Sequence, residues 1–376
     1  WLGKVSRTAL AAPGVCMPVF FFAIAVGMGF GTAGTAVVAQ YTGAGRHREA
    51  RRAAGQTLLL LCALALAFGG PMLILAPQLL ALTRVPAEAT AEATAYLRIA
   101  ILGLPCMAFA IGYGGILRAL GDTITVVIIT AVTNVVNLAL DPILIFGLWG
   151  MPRLEVRGAA LVTLISQVVS AAACLWCLRR GRAGLQIGLA DLKPDWSMLR
   201  RILGVGLPLA VSSGTNSVGF ATFQVLINKL GTAVIGAVTI GFRLTWFFNM
   251  PAHAMAMAAA PVVGQALGAG KVKLARRAVW LSVAVVALAM LPPTVLLMTG
   301  GKVVARAFIG EPDVIAEAGR FFLVVPASSY FFGVLMVLMA AFYGSGHTRP
   351  AMVVSIMRLW LFRLPAAYAL GFVLGW

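Results

Sequence analysis

Acidic side chains are nearly missing from this chain: 11 Asp and Glu stand among 376 residues, against 29 Lys and Arg. Charged residues of both signs make up 11%, well under the ~25% usual for soluble domains. So few charges cannot keep a globule of this size in water. With hydrophobic residues at 61% and a mean hydropathy of +0.97, the chain reads as a membrane protein. The alternating ten-residue pattern of a β-barrel is also absent, so the spans must be helices, which satisfy their own backbone hydrogen bonds in lipid. No Walker loop, zinc-ligand spacing or Ser/His/Asp set occurs. The chain is therefore expected not to be an enzyme and to have no cofactor, drawing its energy from an ion gradient. Cysteine is sparse as well. Cys16, Cys62, Cys106, Cys174 and Cys177 all lie in apolar segments and read as small packing residues, because Cys174 and Cys177 have no further metal ligands nearby. No signal peptide is visible, and the chain opens on Trp1 without an initiator Met, which suggests a fragment.

What is present is a series of apolar runs. Read against Gly, Pro and charge punctuation, they predict spanning helices at about 8–40, 53–82, 92–118, 123–148, 157–179, 199–229, 232–266, 276–299, 314–343 and 350–376. The fold class is all-α, a polytopic membrane protein of two bundles. The net charge of +18 sits in short connectors and not along one stripe with interleaved aromatics, so it reads as basic membrane-protein loops and not as a nucleic-acid surface. The longest polar connector, "LRRGRAGLQIGLADLKPDWSMLRR", divides an N-terminal lobe, 1–180, from a C-terminal lobe, 199–376, with a cytoplasmic linker at 181–198.

The two halves repeat one another. "VVAQYTGAGRHREARRA" (37–53) aligns without a gap on "VVGQALGAGKVKLARRA" (262–278), and at the same shift "LRALGDT" (117–123) meets "FYGSGHT" (342–348). The register places a further helix in front of the first half and another behind the second, so the expected whole is two six-helix bundles with about ten of twelve helices in this chain. Six helices separate equivalent elements, which makes the repeats parallel, with their axis along the membrane normal. Cations cluster in the loop with Arg46, Arg48, Arg51 and Arg52, in the central connector, and in the loop with Lys271, Lys273, Arg276 and Arg277. This side is assigned as cytoplasmic. Opposite loops carry Glu88, Glu92, Glu311, Asp313 and Glu317, together with Lys4, Arg7, Arg153, Arg157, Lys302 and Arg306. A multi-pass location in the cell's inner membrane follows.

In "TNVVNLALDPILIFG", Asp141 lies deep in an apolar helix, preceded by Asn134 and Asn137. A charged carboxylate at mid-bilayer costs about 2.5–3.5 kcal/mol on insertion scales, so it is normally neutral, paired or hydrated. Asn137 and Asp141 are four residues apart and share a helical face, with Asn134 on the same side. A desolvated Asp can exchange a proton, and its oxygens with those of Asn137 can instead ligate a sodium ion, the only metal expected. The alternative is an Asp that tethers a helix break at Pro142. Thr163, on the next helix, can add a hydroxyl to this pocket or bond back to its own helix. The counterpart helix in the second half reads "MRLWLFRLPAAYALG" and carries Arg358 and Arg363 in place of an acid, so cation binding is expected in the first half alone. Asn134, Tyr113 in "AIGYGGIL" and Arg243 in "IGFRLTWFFNMP" are candidate substrate-cavity residues, although Arg243 can also snorkel. His253, flanked by Ala and Met, reads as an interhelical packing residue.

Together "VVAQYTGAGRHREARRAAGQ", "GILRALGDT", "NLALDPILIFG", "VRGAALVT", "PVVGQALGAGKVKLARRA" and "GSGHTRP" resemble the multidrug and toxic compound extrusion (MATE) family, over essentially the whole chain. The resemblance implies two six-helix lobes forming a V and alternating access by lobe rocking. It also implies export of amphipathic, often cationic, small molecules in exchange for H+ or Na+, by a monomer in the lipid bilayer. In the family's DinF-type branch the first-lobe cation site uses an Asn and an Asp four residues apart, which match Asn137 and Asp141. Two other readings stay open: a lipid-linked oligosaccharide flippase of the same superfamily, which predicts a wide cationic cavity, and a non-transporting membrane scaffold, which should tolerate replacement of Asp141.

Overall fold

A computed structural model describes residues 7–82, 87–184, 186–229, 232–306 and 311–369, with side chains described from Ile24 onward, so that Lys4, Arg7, Cys16 and Glu88 lie outside the described side chains. Each predicted helix has an observed counterpart. They are α1 Arg7–Gly43, α2 His47–Ile74, α3 Ala76–Leu82, α4 Ala87–Leu102, α5 Leu104–Ala119, α6 Thr123–Phe146 and α7 Glu155–Arg179. After the central connector come α8 Trp196–Asn228, α9 Thr232–Gly268, α10 Val272–Arg306, α11 Pro312–Ser345, α12 Thr348–Ile356, a wide-turned stretch Met357–Arg363, and α13 Leu364–Tyr368. Among the described residues six helical segments are long and apolar enough to cross a membrane, and a bent pair, Thr90–Leu102 with Leu104–Ala119, makes a seventh.

The structure differs from the predicted spans at three breaks, each at a proline. The segment expected as one helix over 92–118 bends by 44° between α4 and α5. Pro105 cannot donate to the preceding turn, and Gly103 leaves room for Gln167 of α7 at the elbow. The 53–82 segment breaks at Leu75, just before Pro77. In the last segment the Leu364 N–H bonds to the Leu359 carbonyl, five residues back, as the chain prepares for Pro365.

The chain forms two compact units, Trp1–Thr42 with Arg46–Ala210, and Gly43–Gly45 with Val211–Trp376, so that α8 contributes its first half to unit 1 and its second to unit 2. The core of unit 1 is made of small residues that let helices approach closely, among them Ala33, Ala50, Ala53, Ala54 and Ala119, with Tyr113, Ile116 and Leu117 filling the gaps. In unit 2 the clusters are built on Ala237, Leu297, Ala318 and Phe322, and on Ala252, Val286, Met290 and Val337.

The sequence repeat is also a repeat of local geometry. Gly45 and Gly270 both sit at φ 71°, and Gly121 and Gly346 at φ 89° and 77°, left-handed values that favour glycine at helix ends. Arg46 N–H reaches the Tyr41 carbonyl at 2.9 Å, and in the second repeat Lys271 N–H reaches the Ala266 carbonyl at 2.8 Å.

The central connector is fastened to the helices of unit 1 chiefly through one amide side chain. Gln56, fully buried on α2, donates to the carbonyls of Asp191 at 2.9 Å and Lys193 at 2.7 Å, and accepts from Asp195 N–H at 3.0 Å. Gly55 beside it leaves space for the Asp191 carbonyl. Nearby, Arg52 pairs with Asp195 at 3.6 Å, Arg182 donates to Thr125 Oγ1 at 2.9 Å, and Arg201 donates to the Tyr41 hydroxyl at 2.6 Å. The cations assigned to the cytoplasmic side in this half thus lie at one end of unit 1.

Candidate functional site

The middle of α6 holds the expected polar face. Asp122 caps the helix, accepting from Thr125 N–H at 3.0 Å and from the Thr125 hydroxyl at 2.7 Å, and left-handed Gly147 ends it. Its buried residues lie near the two ends: Thr125 and Ile129 towards one, Leu144 and Ile145 towards the other. Between them no residue is fully covered, and Asn137 and Asp141 are half-buried there on one face. The amide and the carboxylate thus stand partly covered on one face of an apolar helix long enough to cross a membrane. Pro142 adds to the polarity there by leaving the Leu138 carbonyl without its normal i+4 donor.

α7 supplies the facing wall. Gly158 allows α7 to press against the Leu144 carbonyl, where a Cβ would come to 2.5 Å, and Leu154 N–H donates to that same carbonyl at 3.1 Å. This contact brings the buried Ser166 hydroxyl within 3.3 Å of Asn137 Nδ2, which orients the amide so that its oxygen is left for another ligand. Next to Ser166, Gln167 turns its amide nitrogen to Met107 Sδ at 3.8 Å and leaves its buried Oε1 unpaired.

Of the residues singled out from sequence, Asn137 and Asp141 share this face. Thr163 lies on the α7 wall but donates to its own helix, to the Ala159 carbonyl at 2.9 Å. Asn134, one turn back, is exposed. Tyr113 is 2% exposed, packed in the core of unit 1 and stacked on Phe109 at 6.4 Å, with its hydroxyl unpaired. Arg243 is exposed on α9 in unit 2. Sequence reasoning missed Ser166 and Gln167, whose i+3 and i+4 spacing from Thr163 places them on its face of the helix but does not by itself mark a site.

A separate apolar cavity of about 30 Å³ opens between α1, α2 and α5, lined by Ile24, Leu61, Leu64, Phe68, Leu104 and Met107 among others. None of the residues proposed from sequence lines it. Cys62, Cys106, Cys174 and Cys177 are free thiols, and among the described residues no group of three His, Cys, Asp or Glu could hold a metal ion.

An all-helical architecture with six or seven candidate spans among the described residues, built on a repeated turn geometry, is that of a polytopic membrane protein. The chain belongs to the MatE family, whose model matches residues 1–143 and 208–369. It is 26% identical over 374 residues to the probable multidrug resistance protein NorM of Thermotoga maritima, covering 98% of this chain and 80% of that protein. It is 25% identical over 374 residues to the FAD transporter of Shewanella oneidensis, covering 99% and 82%. Its fold matches the crystal structure of MATE in the bent conformation with a TM-score of 0.92 at 26% identity, over 99% of this chain and 82% of that one. The chain is accordingly an integral inner-membrane transporter and not an enzyme.

Proposed function

We propose that this chain belongs to a secondary active exporter of amphipathic small molecules, driven by exchange for H+ or Na+ at the Asn137–Asp141 face. The observation that carries the reading is a half-buried carboxylate within a spanning helix, one turn from an amide whose nitrogen is already engaged by Ser166. Such a pair offers oxygens to a cation and little to an apolar neighbour. Cation coupling then needs a difference in affinity between two states. In one state the Asp141 carboxylate is open to a proton or sodium; in the other, closer packing of α6 on α7 favours the neutralised form. Alternating access by rocking of the two lobes would convert that difference into transport, with a monomer as the working unit. Names of relatives point to multidrug compounds and to FAD, so the supporting parallels leave the substrate class broad.

The test is export from vesicles with an imposed pH or sodium gradient. Asp141→Asn keeps the shape of the side chain and removes its charge, so it is expected to abolish gradient-driven export with thermal stability unchanged. Transport at the wild-type rate by that variant would remove Asp141 from the coupling mechanism.

A further inference from the structure

The helix in unit 2 that corresponds to α6 replaces its acid with two guanidinium groups, Arg358 and Arg363, inside the spanning segment Thr348–Tyr368. Such cations are costly inside a bilayer unless something compensates them. Among the described residues the ion pairs are Arg46–Glu49, Arg52–Asp195, Arg153–Glu155 and Arg320–Glu317, and neither arginine takes part in one. Neither donates a hydrogen bond to a described protein acceptor.

Aromatic rings hold them instead. The Arg363 guanidinium carbon lies 4.5 Å from the Phe223 ring centre and 6.0 Å from those of Phe220 and Phe242. Arg358 lies 4.5 Å from the Phe332 ring centre. A ring engages the face of a guanidinium and leaves its in-plane N–H fork open, which is the edge that grips a carboxylate, sulfonate or phosphate through two parallel bonds. In an α-helix residues five apart point ~140° away from each other; the wide turn over Met357–Arg363, where Leu364 N–H bonds to the Leu359 carbonyl, lowers the rotation per residue and brings such positions closer to one side. Two like charges five residues apart in one spanning segment, set against phenylalanine rings and without a counter-ion among the described residues, are arranged for an anion that comes from outside the chain.

We infer that Arg358 and Arg363, with Phe220, Phe223, Phe242 and Phe332, form a binding site for the anionic head of an amphipath whose apolar or aromatic body lies against the rings. This site stands on the geometry of unit 2 and is independent of the cation face in unit 1, so its test needs no gradient.

The full chain in phosphatidylcholine nanodiscs is titrated calorimetrically with 2-naphthalenesulfonate and with the matched cation 2-naphthylmethyl-trimethylammonium. The sulfonate is expected to bind, about tenfold more weakly in Arg363→Gln, as loss of a charge-assisted bidentate contact implies. Arg363→Lys, which keeps the charge and loses the fork, should fall between, and ammonium binding should be unchanged in both. Asp141→Asn should bind the sulfonate as the wild type does, which separates failure of this site from failure of the export reading. Phosphatidylglycerol in the nanodisc distinguishes two sources of the same chemistry: Arg363-dependent displacement of the sulfonate assigns the site to a lipid headgroup, and undisturbed binding assigns it to a free compound. Absence of sulfonate binding to the wild type, or equal weakening of both probes by Arg363→Lys, overturns the inference.

Discussion

Asp195, at the start of α8, accepts from the Ser197 hydroxyl at 2.7 Å, from Ser197 N–H at 3.1 Å and from Met198 N–H at 3.2 Å. These bonds favour its charged form, the Ser197 hydroxyl most and Met198 N–H next, with Arg52 adding a smaller pull, and hold the carboxyl below its ordinary range. A depressed folded value means that the stabilisation is fully present above the unfolded carboxylate value of ~4 and is lost as pH falls through the folded one. Asp195→Ala is therefore expected to lower the melting temperature in detergent at neutral pH, with the gap from wild type narrowing below about pH 4. A gap that stays constant across that range would contradict the assignment. At the same scale, part of the candidate site was legible in the sequence. Asn137 and Asp141 stand out because polar groups are costly where they lie, and their four-residue spacing fixes a common face. Ser166 and Gln167 do not stand out, since small and amide side chains occur in spanning helices without a site, and only the approach of α7 at Gly158 shows which of them meets α6.

That approach can be tested at the scale of the element. A methyl group on Gly158 would sit 2.5 Å from the Leu144 carbonyl oxygen and 2.8 Å from its carbon, and both are backbone atoms that cannot swing aside. Gly158→Ala should cost about 1–3 kcal/mol through overpacking. Gly204→Ala on α8, where nothing lies within 4 Å of the added carbon, should be neutral or stabilising, and thermal unfolding of the two variants reads the difference. The places of the apolar helices were readable from apolar runs between Gly, Pro and charge. The elbow at Gly103, the break at Leu75 and the wide turn at Met357–Arg363 were not. Proline shows where a helical ladder is interrupted, but the response, whether a bend or a widened turn, depends on which neighbour fills the space.

Across the whole molecule, the 225-residue repeat was the most informative sequence signal, and paired glycines with matching φ values bear it out. Its departures are as telling as its matches. Gly55 and Gln56, which receive the connector, correspond to Trp280 and Leu281, which are 58% and 63% exposed. Gln56→Ala removes three hydrogen bonds worth about 1 kcal/mol each. It should speed chymotryptic cleavage after Leu192, whereas Leu281→Ala should leave the cleavage rate alone; equal rates in wild type and Gln56→Ala would show that the connector is held by other means.

One buried amide thus gives the duplication a direction. Both halves are built on the same turns and glycines, yet where the first has Gln56 to receive the connector, the second has an exposed Leu281. A rearranged gene that placed residues 199–376 ahead of 1–180 would keep every helix, and would leave Gln56 facing a connector that no longer followed its own bundle.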